Sequence, residues 1–462
     1  MSRSLTPTLK GQRVIVVGGG LAGLVASRDL IERGAAVHLL EARSRLGGRV
    51  WSVTDKEFSD TPLELGGEFI DGEHQAIRAL CHDLRLTLLP ILKDGFGLAL
   101  DVNGRVQVFN GQRPIWSDFK KTLAKEVAGL QSASCDWNST VAQSIGRHSM
   151  QALLEARHAS REVIAMAQGL RGFFLADADQ LSALVAVELA MQPIDPGHVT
   201  LSRIKGGNDR LVQALAKQKG LKIALQSVVT RIEHDDREVR VVVADGSGSA
   251  ASRKQSATRG STLAADYLVL AVPATVARTL DISPAPSASL RRAWQALSPG
   301  LATKAHVRFD KGWWRKPGRP RAFGSNLDTG AVWEHAGTGP ACLTMLAGGR
   351  ASQSLRALLE EGGPQRVVRR LSWLGEPEEA RDFRSISWEL DPYARGGYAV
   401  FGSDFRAEWR SELSRAIGRI ALAGDHTSRK WQGYMNGAVE SGQRAARDIE
   451  MMHLMELPSA PA

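Results

Sequence analysis

The segment Arg13-Val14-Ile15-Val16-Val17-Gly18-Gly19-Gly20-Leu21-Ala22-Gly23 decides the fold. A β-branched run enters a glycine turn, Gly18 to Gly23, which leads into a helical stretch, Leu24 to Arg33, and a second apolar run, Ala36 to Leu40. This is a β-α-β unit with a GxGxxG turn at its first crossing, the arrangement that binds a dinucleotide. Gly18 permits the tight turn, Gly20 lets the backbone approach a pyrophosphate, and Gly23 lets helix pack on strand. The helix N-terminus then faces the phosphates, and Leu21 and Ala22, in the turn, are expected at the cofactor. Glu41, closing the second run, can accept both hydroxyls of an adenosine ribose and repels a 2′-phosphate, which disfavours NADP. The turn alone does not separate FAD from NAD.

Working outward, Ser227 to Ile232 and Glu238 to Ala244 read as a strand pair, and Tyr267 to Ala271 as a further strand. The Gly/Ser/Arg-rich stretch Asp245 to Thr262 between them reads as a long, mobile hairpin tip. Ser117 to Leu201 is dominated by Ala, Leu, Gln and Arg at helical spacing, so a helical insertion is expected there. Strand-like runs return at Ala302 to Phe309, Ala341 to Ala347 and Arg384 to Glu389. A small strand, Arg419 to Ala423, precedes a glycine-punctuated stretch and a helix from Asn436 to Met452.

A chain of 462 residues, 43% of them hydrophobic, can bury at least one large core and makes two or three domain-sized units the expectation. The 59 Lys and Arg exceed the 49 acids, for a formal charge of +10, but the excess is scattered and lacks aromatic interleaving. No nucleic-acid partner is implied. Cys81, Cys135 and Cys342 are few and far apart, with no metal-ligand spacing, which fits a reducing cytoplasm and no metal. Met1 to Gln12 has no apolar leader core, and Ile449 to Ala462 is too short to cross a bilayer, so a cytoplasmic protein without a membrane partner is expected.

Past the turn the chain continues Glu41-Ala42-Arg43-Ser44-Arg45-Leu46-Gly47-Gly48-Arg49 and Glu64-Leu65-Gly66-Gly67-Glu68-Phe69. Near the C-terminus it reads Leu422-Ala423-Gly424-Asp425-His426-Thr427, then Trp431-Gln432-Gly433-Tyr434-Met435-Asn436-Gly437-Ala438. With these segments the chain resembles the flavin amine oxidase family, which includes monoamine oxidases, polyamine oxidases and L-amino-acid oxidases. The resemblance spans residues 13 to 448 and is weakest in the helical insertion and over 310 to 380.

It implies an α/β fold: a Rossmann-like FAD-binding domain of residues 1–80, 205–295 and 415–462, interleaved with an α+β substrate-binding domain of 81–204 and 296–414. FAD is the expected cofactor. The family's pattern assigns its pyrophosphate to the run from Glu41 through Ala42, Arg43 and Gly48 to Arg49, where a guanidinium matches phosphate geometry. Gly66, Gly67 and Glu68 fall beside the isoalloxazine ring, Val229 by the adenine, and Trp388 by the dimethylbenzene edge. Gly424, Asp425, Tyr434, Met435 and Ala438 close the site. A helix starting near Gly437 points its amides at the pyrimidine end of the ring, which becomes anionic on reduction.

Three positions carry the chemistry that the resemblance implies. Lys304 falls where the family holds a water against flavin N5; without the resemblance it reads as an exposed strand lysine. Tyr398 and Tyr434, two of only four tyrosines, match the aromatic pair that sandwiches the amine, against the alternative of core packing. The implied reaction is hydride transfer from the amine's α-carbon to N5, hydrolysis of the imine to an aldehyde or ketone, and reoxidation by O2 to hydrogen peroxide. Gly397 stands where monoamine oxidases carry the cysteine of their covalent flavin link, so non-covalent FAD is expected. Glu68 and Asp71 put carboxylates where monoamine oxidases are neutral; Asp71 either meets a substrate ammonium or is an exposed or internally paired acid. Phe173 either gates the pocket or packs in the core. The alternatives are an L-amino-acid oxidase, a desaturase or protoporphyrinogen-type oxidase, and a non-catalytic flavin-binding module; a homodimer is left open.

Overall fold

The computed structural model describes residues 8–111, 113–192, 200–244, 260–337 and 339–456. Strand β1 (Arg13–Val17) is followed by helix α1 (Leu21–Glu32) and strand β2 (Ala36–Leu40). The helix begins three residues before the expected Leu24 because, of the turn's glycines, only Gly18 takes a left-handed φ, +107°, and Gly20 is already the extended N-cap. Gly23 is helical: a Cβ on it would come within 2.0 Å of the Gly18 carbonyl oxygen, so its job is contact between helix and turn.

β1 and β2 lie in a five-stranded all-parallel sheet whose order is Lys222–Ala224, β2, β1, Tyr267–Leu270, Ile420–Leu422. These runs are nearly continuous in apolar residues because the sheet is covered on both faces. α1 and the C-terminal helix Met435–Glu456 pack together on one face, where Gly442 lets the two backbones close. Segments from three distant parts of the chain thus share one sheet, and its glycine turn lies at the carboxyl end of the central strand, where α/β sheets bind ligands.

A second sheet of four strands contains the expected pair, Val228–His234 against Val239–Ala244, with an irregularity between Val229 and Arg231. The expected loop Asp245 to Thr262 lies outside the described residues over 245–259. At its end it is corrected: Ser261 and Thr262 already belong to the strand Ser261–Ala265, which pairs with Val239–Ala244. Its small, polar residues suit an exposed edge rather than a buried run, which hides it from a hydrophobicity pattern.

The third sheet has seven strands in the order Asp382–Ser387, Ala302–Phe309, Ala341–Gly348, Ala331–Glu334, Ala322–Ser325, Gly97–Val102, Arg105–Phe109. The run expected at Arg384 to Glu389 is a strand only to Ser387; Trp388–Leu390 turns into a single 3₁₀ turn. The helical block is present as separate helices from Arg113–Thr122 to Ala183–Met191. Serines cap several of them: the Ser139, Ser149 and Ser160 hydroxyls each accept from a first-turn amide. The block's expected end at Leu201 is corrected, since Leu201–Ile204 is a strand pairing with Ile70–Asp71 and Leu88–Ile91. Among the described residues no helix is long and apolar enough to cross a membrane.

Candidate active site

A long cavity is lined from all three large sheets, by Val17 and Leu40, by Val228 and Val229, and by Lys304, Trp333 and Leu346. Its first end is built on the glycine turn. The Glu41 carboxylate is buried there, one oxygen accepting from the Gly19 amide at 2.7 Å and the other from the Arg43 amide at 2.8 Å. Each carboxylate oxygen has a second lone pair, so Glu41 fixes the turn and still has capacity for ribose hydroxyls. Arg43 pairs with Asp391 and lies over the Tyr393 ring.

The middle of the cavity is glycine backbone. A Cβ at Gly20 would meet no protein atom within 4 Å, so it would project into open cavity, and Gly20 has no side chain to cap the α1 amides beside it. Gly48 closes on Gly20 from the other side, with φ +57°. Arg49 donates to the Gly397 carbonyl and to the Asp425 carboxylate. Arg45, which sequence reading passed over, holds this loop by donating to the Gly48 carbonyl at 2.9 Å and stacking on Trp51 at 4.3 Å. Free helix amides, a bare glycine wall and a buried acid at one end fit a dinucleotide such as FAD.

The far end of the cavity is built on the Gly66-Gly67 segment. Gly66 is required by contact, since a Cβ would come within 1.9 Å of the Arg49 carbonyl oxygen. Trp388 braces the same segment by donating from Nε1 to the Leu65 carbonyl at 3.0 Å. Asn208, another residue sequence reading missed, donates from Nδ2 to the Gly67 and Glu68 carbonyls at 2.9 Å each. The signal was the Gly206-Gly207-Asn208-Asp209 turn, a loop polar residue with no apolar role.

Lys304 sits in the middle of a buried central strand, 3% exposed, which removes the exposed-lysine reading. Its ammonium donates to Glu68 Oε2 at 2.7 Å and to the Gly66 carbonyl at 3.1 Å, and faces the Trp333 ring at 5.4 Å. Burial alone would push the Glu68 carboxyl up; Lys304 and then Arg203 outweigh it and hold the group below the usual carboxylate range.

Tyr398 and Tyr434 both line this end, with Phe69, Phe173, Trp333 and Leu346. Burial raises the Tyr398 phenol, and Tyr434 adds to it; Tyr434 is itself 47% exposed, and its phenol is raised by partial desolvation and by Asp71. The Tyr398 hydroxyl donates to the Phe173 carbonyl, and its ring lies against Gly433, where a Cβ would come within 2.9 Å. Tyr434 is flanked by Trp431 and by His74, a residue sequence reading did not single out. The Phe173 side chain, 39% exposed, belongs to the wall and not to the core.

All the sequence-derived positions line the cavity except two. Gly23 packs behind the turn. Asp71 is set back: its Oδ1 accepts from the Glu73 amide at 3.0 Å, and its own amide donates to His74 Nδ1 at 3.0 Å.

A dinucleotide channel that opens into an aromatic chamber beside a buried lysine defines an FAD-dependent oxidoreductase. The chain belongs to the flavin-containing amine oxidoreductases, whose family model matches residues 21–450, and it is therefore an oxidoreductase acting on amines. It is 26% identical to the probable flavin-containing monoamine oxidase A of Dictyostelium discoideum, over 95% of this chain and 97% of that one. It is also 27% identical to an L-amino-acid oxidase of Mus musculus, over 96% of this chain and 71% of that one. Among solved structures it is similar in fold to cyclohexylamine oxidase from Brevibacterium oxydans, with a TM-score of 0.80 at 24% identity, covering 95% and 99% of the two chains. Wild-type putrescine oxidase bound to putrescine is equally similar, with a TM-score of 0.80 at 20% identity, covering 95% and 98%.

Proposed function

We propose that the protein oxidises an amine bearing an apolar substituent and no α-carboxylate, with O2 as electron acceptor. One observation carries the reading. The lining arginines, Arg43 and Arg49, are at the cofactor end and are engaged by Asp391 and Asp425, so among the described lining residues no arginine is left to clamp a substrate carboxylate. Of the described acids at this end, Glu68 is paired with Lys304 and Asp71 accepts from the Glu73 amide, which favours an amine without a second ammonium. What faces a substrate is aromatic and aliphatic surface.

Bound FAD supplies a two-electron hydride acceptor, held by residues of 1–80, 205–295 and 415–462. Tyr398 and Tyr434 bind the neutral amine between them and aim its α C–H along the chamber. Phe173, fixed through its carbonyl by Tyr398, excludes water on the outer side. The Lys304 ammonium has three donors, of which Glu68 and Gly66 take two, leaving one N–H for the chamber. In balance, a primary amine, molecular oxygen and water give an aldehyde or ketone, ammonia and hydrogen peroxide, one of each.

The test is anaerobic bleaching of the yellow protein near its ~450 nm flavin band, the chromophore's own property, with apolar monoamines, diamines and L-amino acids, followed by air. Bleaching by apolar monoamines with peroxide on reoxidation is expected. Bleaching by L-amino acids instead would replace this reading with the amino-acid oxidase, and bleaching by none would leave the desaturase.

A further inference from the structure

The resemblance puts Glu68 beside the ring without saying what its charge does there, and its placement is specific. Its carboxylate lies 2.7 Å from the Lys304 ammonium, with both side chains 4% exposed. Asn208 takes its backbone carbonyl, so the carboxylate is anchored from behind. The Arg203 guanidinium, bound to Thr61 and the Ala336 carbonyl, also acts electrostatically on the carboxylate. At this depth charges are weakly screened by solvent, so a carboxylate in contact with an ammonium cancels most of the field the ammonium would project into the chamber.

We propose that Glu68 is a positioning residue that holds Lys304 in one place and damps its charge, making this protein a slower reducer of O2 than its lysine alone would allow. The inference rests on O2 being the acceptor. In that half-reaction O2 takes two electrons and one proton from the reduced cofactor and a second proton from solvent and leaves as H2O2, and a nearby positive charge favours the first electron because it stabilises the superoxide being formed. Lys304 provides the charge; Glu68 sets how much of it is felt. A purely structural ion pair is the competing account, and it predicts no electrochemical effect beyond stability.

E68Q isolates the charge, since the amide keeps the side chain's length and an oxygen to accept from Lys304. The holoenzyme is photoreduced without any amine, so that failure of the substrate reading cannot interfere, and mixed with air-saturated buffer. E68Q is expected to raise the rate constant with O2 about tenfold, for a change in one buried charge neighbour. It should also make the bound FAD easier to reduce in equilibration with a reference dye. Unchanged or lowered values in E68Q overturn the proposal. Should E68Q not retain FAD, E68D withdraws the charge by one methylene; a smaller rise is expected, and a fall overturns the proposal. Failure of amine bleaching in the unaltered protein would instead strike the substrate reading and leave this one standing.

Discussion

Arg49 donates to the carboxylate of Asp425, joining a turn near the start of the chain to a glycine hairpin near its end. The same guanidinium reaches the Gly397 carbonyl, so three separated segments meet at the middle of the cofactor channel.

R49M should therefore weaken FAD binding by at least about tenfold, because it removes the positive charge expected beside the pyrophosphate and leaves Asp425 an unpaired, nearly buried acid. D425N removes the partner and keeps the guanidinium, so its loss should be smaller. Titration of the apoproteins with FAD, followed by flavin fluorescence, orders the two. Equal losses would mean that the pair acts only as a strut.

Two glycines separate contact from cofactor. G66A puts a methyl within 1.9 Å of a backbone oxygen, so it should fail to fold or lose tens of degrees of stability. G20A meets no protein atom and sits at extended N-cap geometry, so the apoprotein should melt as the parent does. Its methyl fills the channel, however, and FAD affinity should fall steeply. A G20A protein that binds FAD normally would remove the pyrophosphate from this turn.

Gly397 lines the channel, and none of the three cysteines does. Acid precipitation is expected to leave all yellow colour in the supernatant; colour in the pellet would show a covalent link through another residue.

The β-α-β unit was legible because its signals are local: alternation of strand and helix pattern, and a glycine spacing with one geometric meaning. Glu41 was legible from its place at the end of the second strand, but Arg49 and Lys304 were legible only through resemblance, since nothing in a lone arginine or lysine says that it will be buried. The partners of these residues were not legible at all. Lys304 meets Glu68, and Arg49 meets Asp425, through a fold that brings distant segments together, and one sequence does not encode such distances in any pattern. Of the two readings open for Asp71, a substrate contact or an internally paired acid, sequence alone could not choose, because its bond to the Glu73 amide depends on the turn geometry.

Stability should fall on acidification. Burial is the largest cause holding His74, His335 and His426 at about 4 and His306 at about 3, from 6.5. Above pH 6.5 these groups are neutral in both folded and unfolded chains; below it the unfolded chain takes up protons that the folded one refuses. Their contribution is thus present above 6.5 and lost as the pH falls toward 4, at about 1.4 kcal/mol per unit for each group. Glu64 opposes them: burial raises it to about 7, so its contribution is full below 4.5 and lost as the pH rises to 7. Four groups outweigh one, and the melting temperature should drop between pH 7.5 and 5. E64Q should steepen that drop and stabilise the protein above pH 7. A flat profile from 7.5 to 5 would mean that the histidines find proton-accepting partners.

Tyr398 has two separable functions, since its ring forms the chamber wall and its hydroxyl holds the Phe173 carbonyl. Y398F keeps the ring and releases the wall. The amine should still be gripped between two aromatic faces, so the limiting rate of anaerobic bleaching should change by no more than about tenfold, the loss of one neutral hydrogen bond being worth about 0.5–1.5 kcal/mol. What should change is selectivity, with bulky amines gaining in apparent affinity over small ones as the Phe173 loop loosens. Y398A removes the face itself, and the limiting rate should fall by about a hundredfold or more, because orientation of the α C–H is lost. Stopped-flow bleaching across a size series of amines separates the two variants. Equal limiting rates in Y398F and Y398A would take Tyr398 out of the substrate-orienting pair and leave it as a support for Phe173.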